Sequence, residues 1–175
     1  MDKKLPKIFF TSIAWFVFLS IYTKTFSQTP AITYPKITGF VGILHPIITL
    51  SSAGNHTNFQ NDYVVGLPTG INIWKTAKIG FSMEIVPYIK AENGTSKMNN
   101  LLFHPGILIK LAEGLTFAGR AAFETSGRYG LTPVLNKVVI RSKNCNYYIA
   151  LTLPARFGND QPNSVGTGFQ FGITF

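Results

Sequence analysis

Residues 79–90, Ile79-Gly80-Phe81-Ser82-Met83-Glu84-Ile85-Val86-Pro87-Tyr88-Ile89-Lys90, separate cleanly by parity. The odd positions, Ile79 to Ile89, are all apolar. The even positions are Gly80, Ser82, Glu84, Val86, Tyr88 and Lys90, a mixture of small, polar and charged groups. Successive side chains of a strand point to opposite faces, so a period of two predicts a β-strand with one apolar and one mixed face.

The same alternation recurs along the chain. Phe103, Pro105, Ile107, Ile109 and Leu111 oppose Leu102, His104, Gly106, Leu108 and Lys110. In 115–124, Leu115, Phe117, Gly119, Ala121 and Phe123 oppose Thr116, Ala118, Arg120, Ala122 and Glu124. In 147–157, Tyr147, Ile149, Leu151, Leu153, Ala155 and Phe157 oppose Tyr148, Ala150, Thr152, Pro154 and Arg156. In 167–175, Phe169, Phe171, Ile173 and Phe175 oppose Gly168, Gln170, Gly172 and Thr174. Segments 36–46, 63–73 and 131–140 are strand-like with mixed faces and an open register. No segment between Gln28 and Phe175 sustains a helical period.

Eight strands are therefore expected. Their connections alternate in length: residues 50–61, then 74–78, 91–100, 112–114, 126–130, 142–146 and 158–166. Long loops at one end and short turns at the other are the layout of an antiparallel meander crossing a membrane. A ten-residue strand rises ~33 Å, or ~23 Å at a 45° tilt, close to the apolar band of an outer-membrane barrel.

A soluble barrel has the same period with its apolar face inward, so the other face decides the matter. A soluble surface needs Lys and Glu at many of those positions. Here they are Gly80, Ser82, Gly106, Thr116, Ala118, Ala122, Ala150, Thr152, Gly168 and Gly172, with sparse charge. Small groups suit the inside of a narrow cylinder, and large aliphatic and aromatic groups suit lipid. Aromatics near strand ends predict two interfacial girdles: Tyr63, Phe103, Phe123 and Phe157 toward the long loops, and Phe117, Tyr147 and Phe175 toward the short turns.

Composition agrees with an exported membrane protein: 46% of the 175 residues are hydrophobic and only 13% charged, against ~25% charged in a typical soluble domain. Lys3, Lys4 and Lys7 precede the apolar run Ile8–Tyr22, and the small residues Thr25 and Ser27 flank Phe26. This order predicts a secretory signal at 1–27, cleaved after Ser27, since the run is short of the ~20 residues of a spanning helix. Residues 28–35 then form a short periplasmic lead and 36–175 the barrel. Loss of 1–27 removes four Lys and one Asp and lowers the net charge from +9 to +6.

An exported chain without a basic helix or an aromatic platform has no use for nucleic acid. Anionic outer-membrane lipid and lipopolysaccharide are the expected partners. A lone Cys145 excludes an internal disulfide or a zinc cluster, and His45, His56 and His104 lack ligand spacing, so no metal or other cofactor is expected.

An export signal, about eight alternating strands and a terminal aromatic strand resemble the small OmpX/OmpA-type outer-membrane barrels of Gram-negative bacteria. The resemblance covers roughly residues 36–175 and is one of pattern, without the peptidoglycan-binding domain of longer members. It implies a closed up-and-down barrel, all-β and monomeric, in the outer membrane. It also implies that Phe169, Phe171, Ile173 and Phe175 form the signal read by the barrel assembly machinery.

Eight strands enclose room for side chains or one small ligand, so a wide porin-like channel is not expected. The inward list Glu84, Tyr88, Lys90, His104, Lys110, Arg120, Glu124, Tyr148 and Arg156 predicts a plug of paired charges and hydrogen bonds, because uncompensated charge there is costly. The expected role is structural or adhesive, with loops 47–62 and 91–100 meeting extracellular ligands and no catalysis. Two alternatives stand beside it: a small-solute or ligand-binding barrel, and a rim lipid acyl hydrolase or transferase built on Ser51 or Ser52, His56 and Asp62.

Overall fold

The computed structural model describes residues 33–60 and 62–175. The predicted signal at 1–27 and most of the 28–35 lead lie outside the described residues. Among the described residues eleven strand segments form one antiparallel sheet. They are β1 (Lys36–Ser51), β2 (Gly54–Thr57), β3 (Tyr63–Gly66), β4 (Thr69–Trp74), β5 (Ile79–Glu92) and β6 (Thr95–Ala112). The rest are β7 (Leu115–Glu124), β8 (Tyr129–Arg141), β9 (Asn146–Thr152), β10 (Ala155–Phe157) and β11 (Ser164–Thr174).

The eleven segments make eight staves. β3 and β4 share one stave between β1 and β5, and β9 and β10 share one between β8 and β11. β1 then pairs with β11, from Phe40 opposite Thr174 to Ser51 opposite Ser164, and the ring closes. The fold is the predicted closed meander of eight antiparallel strands. Among the described residues no helix is long and apolar enough to cross a membrane.

Both divided staves break at proline, which has no N–H to give a ladder. At the β3/β4 break Leu67 N still donates to the Pro87 carbonyl at 3.0 Å, and the Pro68 carbonyl accepts from Gly42 N at 2.9 Å. At the β9/β10 break Leu153 N reaches the Pro133 carbonyl at 2.9 Å, and Gly166 N reaches that of Pro154 at 2.8 Å. The wall thus stays bonded where lipid offers no substitute partner.

The faces follow the predicted parity. Ile79, Phe81, Met83, Ile85, Ile107, Ile109, Leu135, Ile149, Leu151, Phe169 and Phe171 are exposed, whereas Ser82, Glu84, Val86, Leu102, His104, Leu108, Arg120, Ala122, Thr132 and Ala150 are buried. Phe40 and Leu44 set the inward register of β1, and Thr132 and Val134 that of β8. Bulges between Pro46 and Ile48 and between Val138 and Ile140 then reverse the parity, because one extra residue shifts every later side chain to the other face. On the outer face toward the loops, Phe103 pairs with Phe123, Phe123 with Tyr129, and Tyr129 with Phe157. This continuous aromatic row spans four staves.

Two expected loops are different from the sequence reading. Residues 91–100 are not a loop: β5 and β6 run on as a ribbon joined by Asn93 and Gly94 alone, at φ 50° and 74°. Positive φ at both central residues is the turn that follows strand twist, and Asn-Gly tolerates it best. Within 47–62, residues up to Ser51 continue β1, and β2 folds back on it from Ile48 opposite Thr57 to Ser51 opposite Gly54.

Candidate functional site

The chemistry of the barrel gathers in its interior. Glu84 on β5 lies directly opposite His104 on β6. Its Oε1 is 2.8 Å from His104 Nδ1, and its Oε2 accepts from Arg120 Nη1 at 2.9 Å. Arg120 belongs to β7, one stave further away, and also donates to Ser82 Oγ at 3.2 Å. It can cross β6 because its direct partner there is Gly106, which in turn faces Ser82. A missing side chain opens a lane over the strand. The guanidinium carbon also stands 5.7 Å from the centre of the Phe40 ring, a distance at which cation and ring attract.

A second lane serves Tyr148 on β9, which faces Gly172 on β11, itself opposite Gly42 on β1. A Cβ at Gly42 would stand 2.7 Å from the phenolic oxygen, and one at Gly172 2.8 Å from it. The hydroxyl accepts from Gln170 Nε2 at 2.8 Å. Toward the loop end Arg156 Nε donates to Glu124 Oε1 at 2.6 Å and Nη1 to Thr132 Oγ1 at 3.0 Å. Glu124 Oε2 also accepts from Asn100 Nδ2 at 2.7 Å and Ser126 Oγ at 3.0 Å.

Apolar clusters border these groups. Phe40, Leu108, Ala118, Val134, Tyr148 and Ala150 pack with Trp74. Leu44, Val86, Leu102 and Ala122 pack with Tyr88. A cavity of about 40 Å³ remains among Glu84, Tyr88, His104, Arg120, Arg156 and Gln170, room for a water or two. His104 Nε2 and Arg120 Nε have no partner among the described residues.

The nine residues expected inside therefore fall into separate places. Glu84, His104 and Arg120 form one bonded group and Glu124 and Arg156 another, Tyr148 bonds Gln170, and Tyr88 packs on the apolar cluster. Lys110 is a correction: it is exposed at the turn end of β6, beside the bulge between Lys110 and Ala112, where the inward alternation ends. Lys90 is a second, since its Nζ lies 3.0 Å from both Asp62 and Glu92 at the loop end. Ser82, Thr132 and Gln170 are partners the sequence reading left unnamed, although each occupies an inward parity position. Asn100 was hidden by the assumed loop. Phe169, Phe171 and Phe175 stand exposed on the outer face, and Phe175 N and O bond to Gly39 at 3.0 and 2.8 Å.

At the loop rim His56 Nε2 is 2.7 Å from Asp62 Oδ1, but Ser51 Oγ donates to the Gly54 carbonyl at 3.0 Å. Tyr63 Oη is 2.9 Å from His45 Nδ1, with the rings of Phe59 and Phe171 beside that imidazole, so a polar group on the outer face is satisfied locally. The bond from Lys90 holds the Asp62 carboxyl below its usual value of 3.8, helped by His56 and opposed by burial. A depressed carboxylate contributes stability that is present above its unfolded value and is lost as pH falls through the folded one. Protease resistance of residues 52–62 should therefore be constant from neutral pH to about 4 and drop below it, and Asp62→Asn should lose it at pH 7.

A closed ring with apolar side chains outward, an aromatic row near its loop end and paired charge within defines the class of transmembrane β-barrels. No family model matches this chain, and no curated protein matches it. Among solved structures it is similar to a de novo designed transmembrane β-barrel determined by solution NMR, at 12% identity and a TM-score of 0.41, over 81% of this chain and 93% of that one. A second de novo designed transmembrane β-barrel is similar at 11% identity and a TM-score of 0.42, over 82% of this chain and 97% of that one.

Proposed function

We propose that this chain is a monomeric barrel of the Gram-negative outer membrane, exported by a cleaved signal, that works as a rigid stand for its outer loops and conducts no solute. One observation carries the reading: among the described residues the interior side chains bond to one another across the staves, and the cavity between Glu84, His104, Arg120 and Arg156 measures about 40 Å³. A porin-like path would need a continuous aqueous lumen. The reacting surface is then the loop end, where β2 with residues 58–60 and Asp62 and the β5–β6 ribbon reach extracellular ligands. Rigid scaffolds with variable loops suit recognition.

The test has two parts. The outer-membrane fraction should hold the protein, with a heat-dependent shift in gel mobility that marks a folded barrel. The purified barrel in planar bilayers should show no steady conductance. Stable unitary channels would defeat the plugged reading, and a soluble chain without a heat shift would defeat the membrane reading.

A further inference from the structure

Charge is divided unequally between the two ends of the barrel. The short-turn end carries Lys36 at the start of β1, Lys75 and Lys78 in the β4–β5 turn, and Lys110 near the β6–β7 turn. It also carries Lys137, Arg141 and Lys143 around the end of β8. All seven are exposed, and the one acid at that end is Glu113, which pairs with Arg141. At the loop end Lys90, Lys97, Arg128 and Arg156 are balanced by Asp62, Glu92, Glu124 and Asp160, and in the middle Glu84 balances Arg120. The surplus of +6 among the described residues therefore lies wholly at one end. At the other end Lys90 and Arg156 are already engaged with carboxylates at 3.0 and 2.6 Å.

The arrangement of the seven cations identifies their partner. They occupy β1 and all three short turns or the strand ends beside them, so they encircle the barrel instead of forming a patch on one side. A protein partner would approach from one direction, whereas a ring meets whatever surrounds the barrel at that height. Exposed Tyr147 and Phe175 lie at the same end, and such aromatics mark the level of lipid headgroups. Lys137 shares the outward parity of Leu135, so its stem lies along the apolar band while its ammonium reaches the interface.

We infer that this ring is a binding surface for the phosphates of anionic glycerophospholipids in the leaflet facing the short turns. The inference rests on the membrane-barrel reading above, and it favours phospholipid over lipopolysaccharide. The lipopolysaccharide leaflet would meet the loop end, whose charges are already balanced.

The test uses the full chain refolded in phosphatidylcholine vesicles with spin-labelled phosphatidylglycerol or spin-labelled phosphatidylcholine as probe. Each Lys near an anionic surface is worth about five-fold in association, so the anionic probe should be held about five-fold more tightly at low salt. The preference should fade as salt shortens the range of the charges. The variant K75Q/K78Q/K110Q/K137Q, which lowers the surplus at that end from +6 to +2, should lose most of the preference, and K97Q should keep it. Equal binding by the unaltered barrel, or a preference undiminished in the quadruple variant, overturns the inference. A heat-shifted barrel without preference defeats only this inference. A chain with no heat shift defeats the membrane-barrel reading as well.

Discussion

Arg120→Met should destabilise the barrel by about 3–5 kcal/mol, because it leaves the Glu84 carboxylate buried with half of its compensation gone. Glu84 is 2% exposed, and its two oxygens are divided between His104 and Arg120. The double variant E84Q/R120M should lose less than R120M alone, since removing both charges removes the desolvation cost along with the attraction. Urea titration in lipid vesicles, read by heat-dependent gel mobility, gives both values and the coupling between them. A loss below about 1 kcal/mol for R120M would mean that the pair does not hold the barrel together. It would favour the small-solute or ligand-binding alternative for the same groups.

A comparable disruption is expected from Gly106→Val. A Cβ at that position would stand 2.5 Å from Arg120 Cγ and 2.6 Å from the Gly119 carbonyl oxygen. The backbone cannot yield there without breaking the β6–β7 ladder. Arg120 would lose its lane to Glu84 and Ser82, so overpacking and a broken ion pair combine, and the loss should exceed about 3 kcal/mol. Gly119→Val is the matched control, because its Cβ would meet nothing nearer than a Phe117 ring carbon at 3.6 Å. That barrel should fold as well as the parent, within about 0.5 kcal/mol. Comparable losses for the two variants would show that strand glycine is needed for backbone reasons and not for the lane.

The staves most legible in the sequence are those with unbroken parity. Residues 79–90 read correctly because nothing from Ile79 to Tyr88 disturbs the alternation, and lipid and interior make opposite demands on the two faces. Segments 36–46, 63–73 and 131–140 read poorly for separate physical reasons. The first and last each run toward a bulge, after which inward and outward exchange, and the second is divided at Pro68. Outside the apolar band the face rule no longer applies. The ribbon at 91–100 is held by backbone bonds and its turn, and its composition alone resembles a loop.

The candidate site was legible as a list of inward ionisable groups, not as a set of pairs. Parity places Glu84, His104 and Arg120 inside. Only the stagger of neighbouring staves shows that Gly106 stands between Arg120 and Ser82, and register is not written in composition. Lys90 and Lys110 share the inward parity of their strands but sit at the ends, where a long, flexible stem takes the ammonium to water or to a carboxylate.

The seam between β1 and β11 has a kinetic meaning. Phe40 and Thr174 stand opposite each other across 134 residues of sequence, and contacts of such long sequence separation are the slowest to form. Until then the partly built sheet has two open edges, each a row of unsatisfied donors and acceptors that will pair with any strand available. Closure is therefore an all-or-none event, and a chain cut before Ser164 should remain an aggregation-prone intermediate and not settle as a smaller barrel.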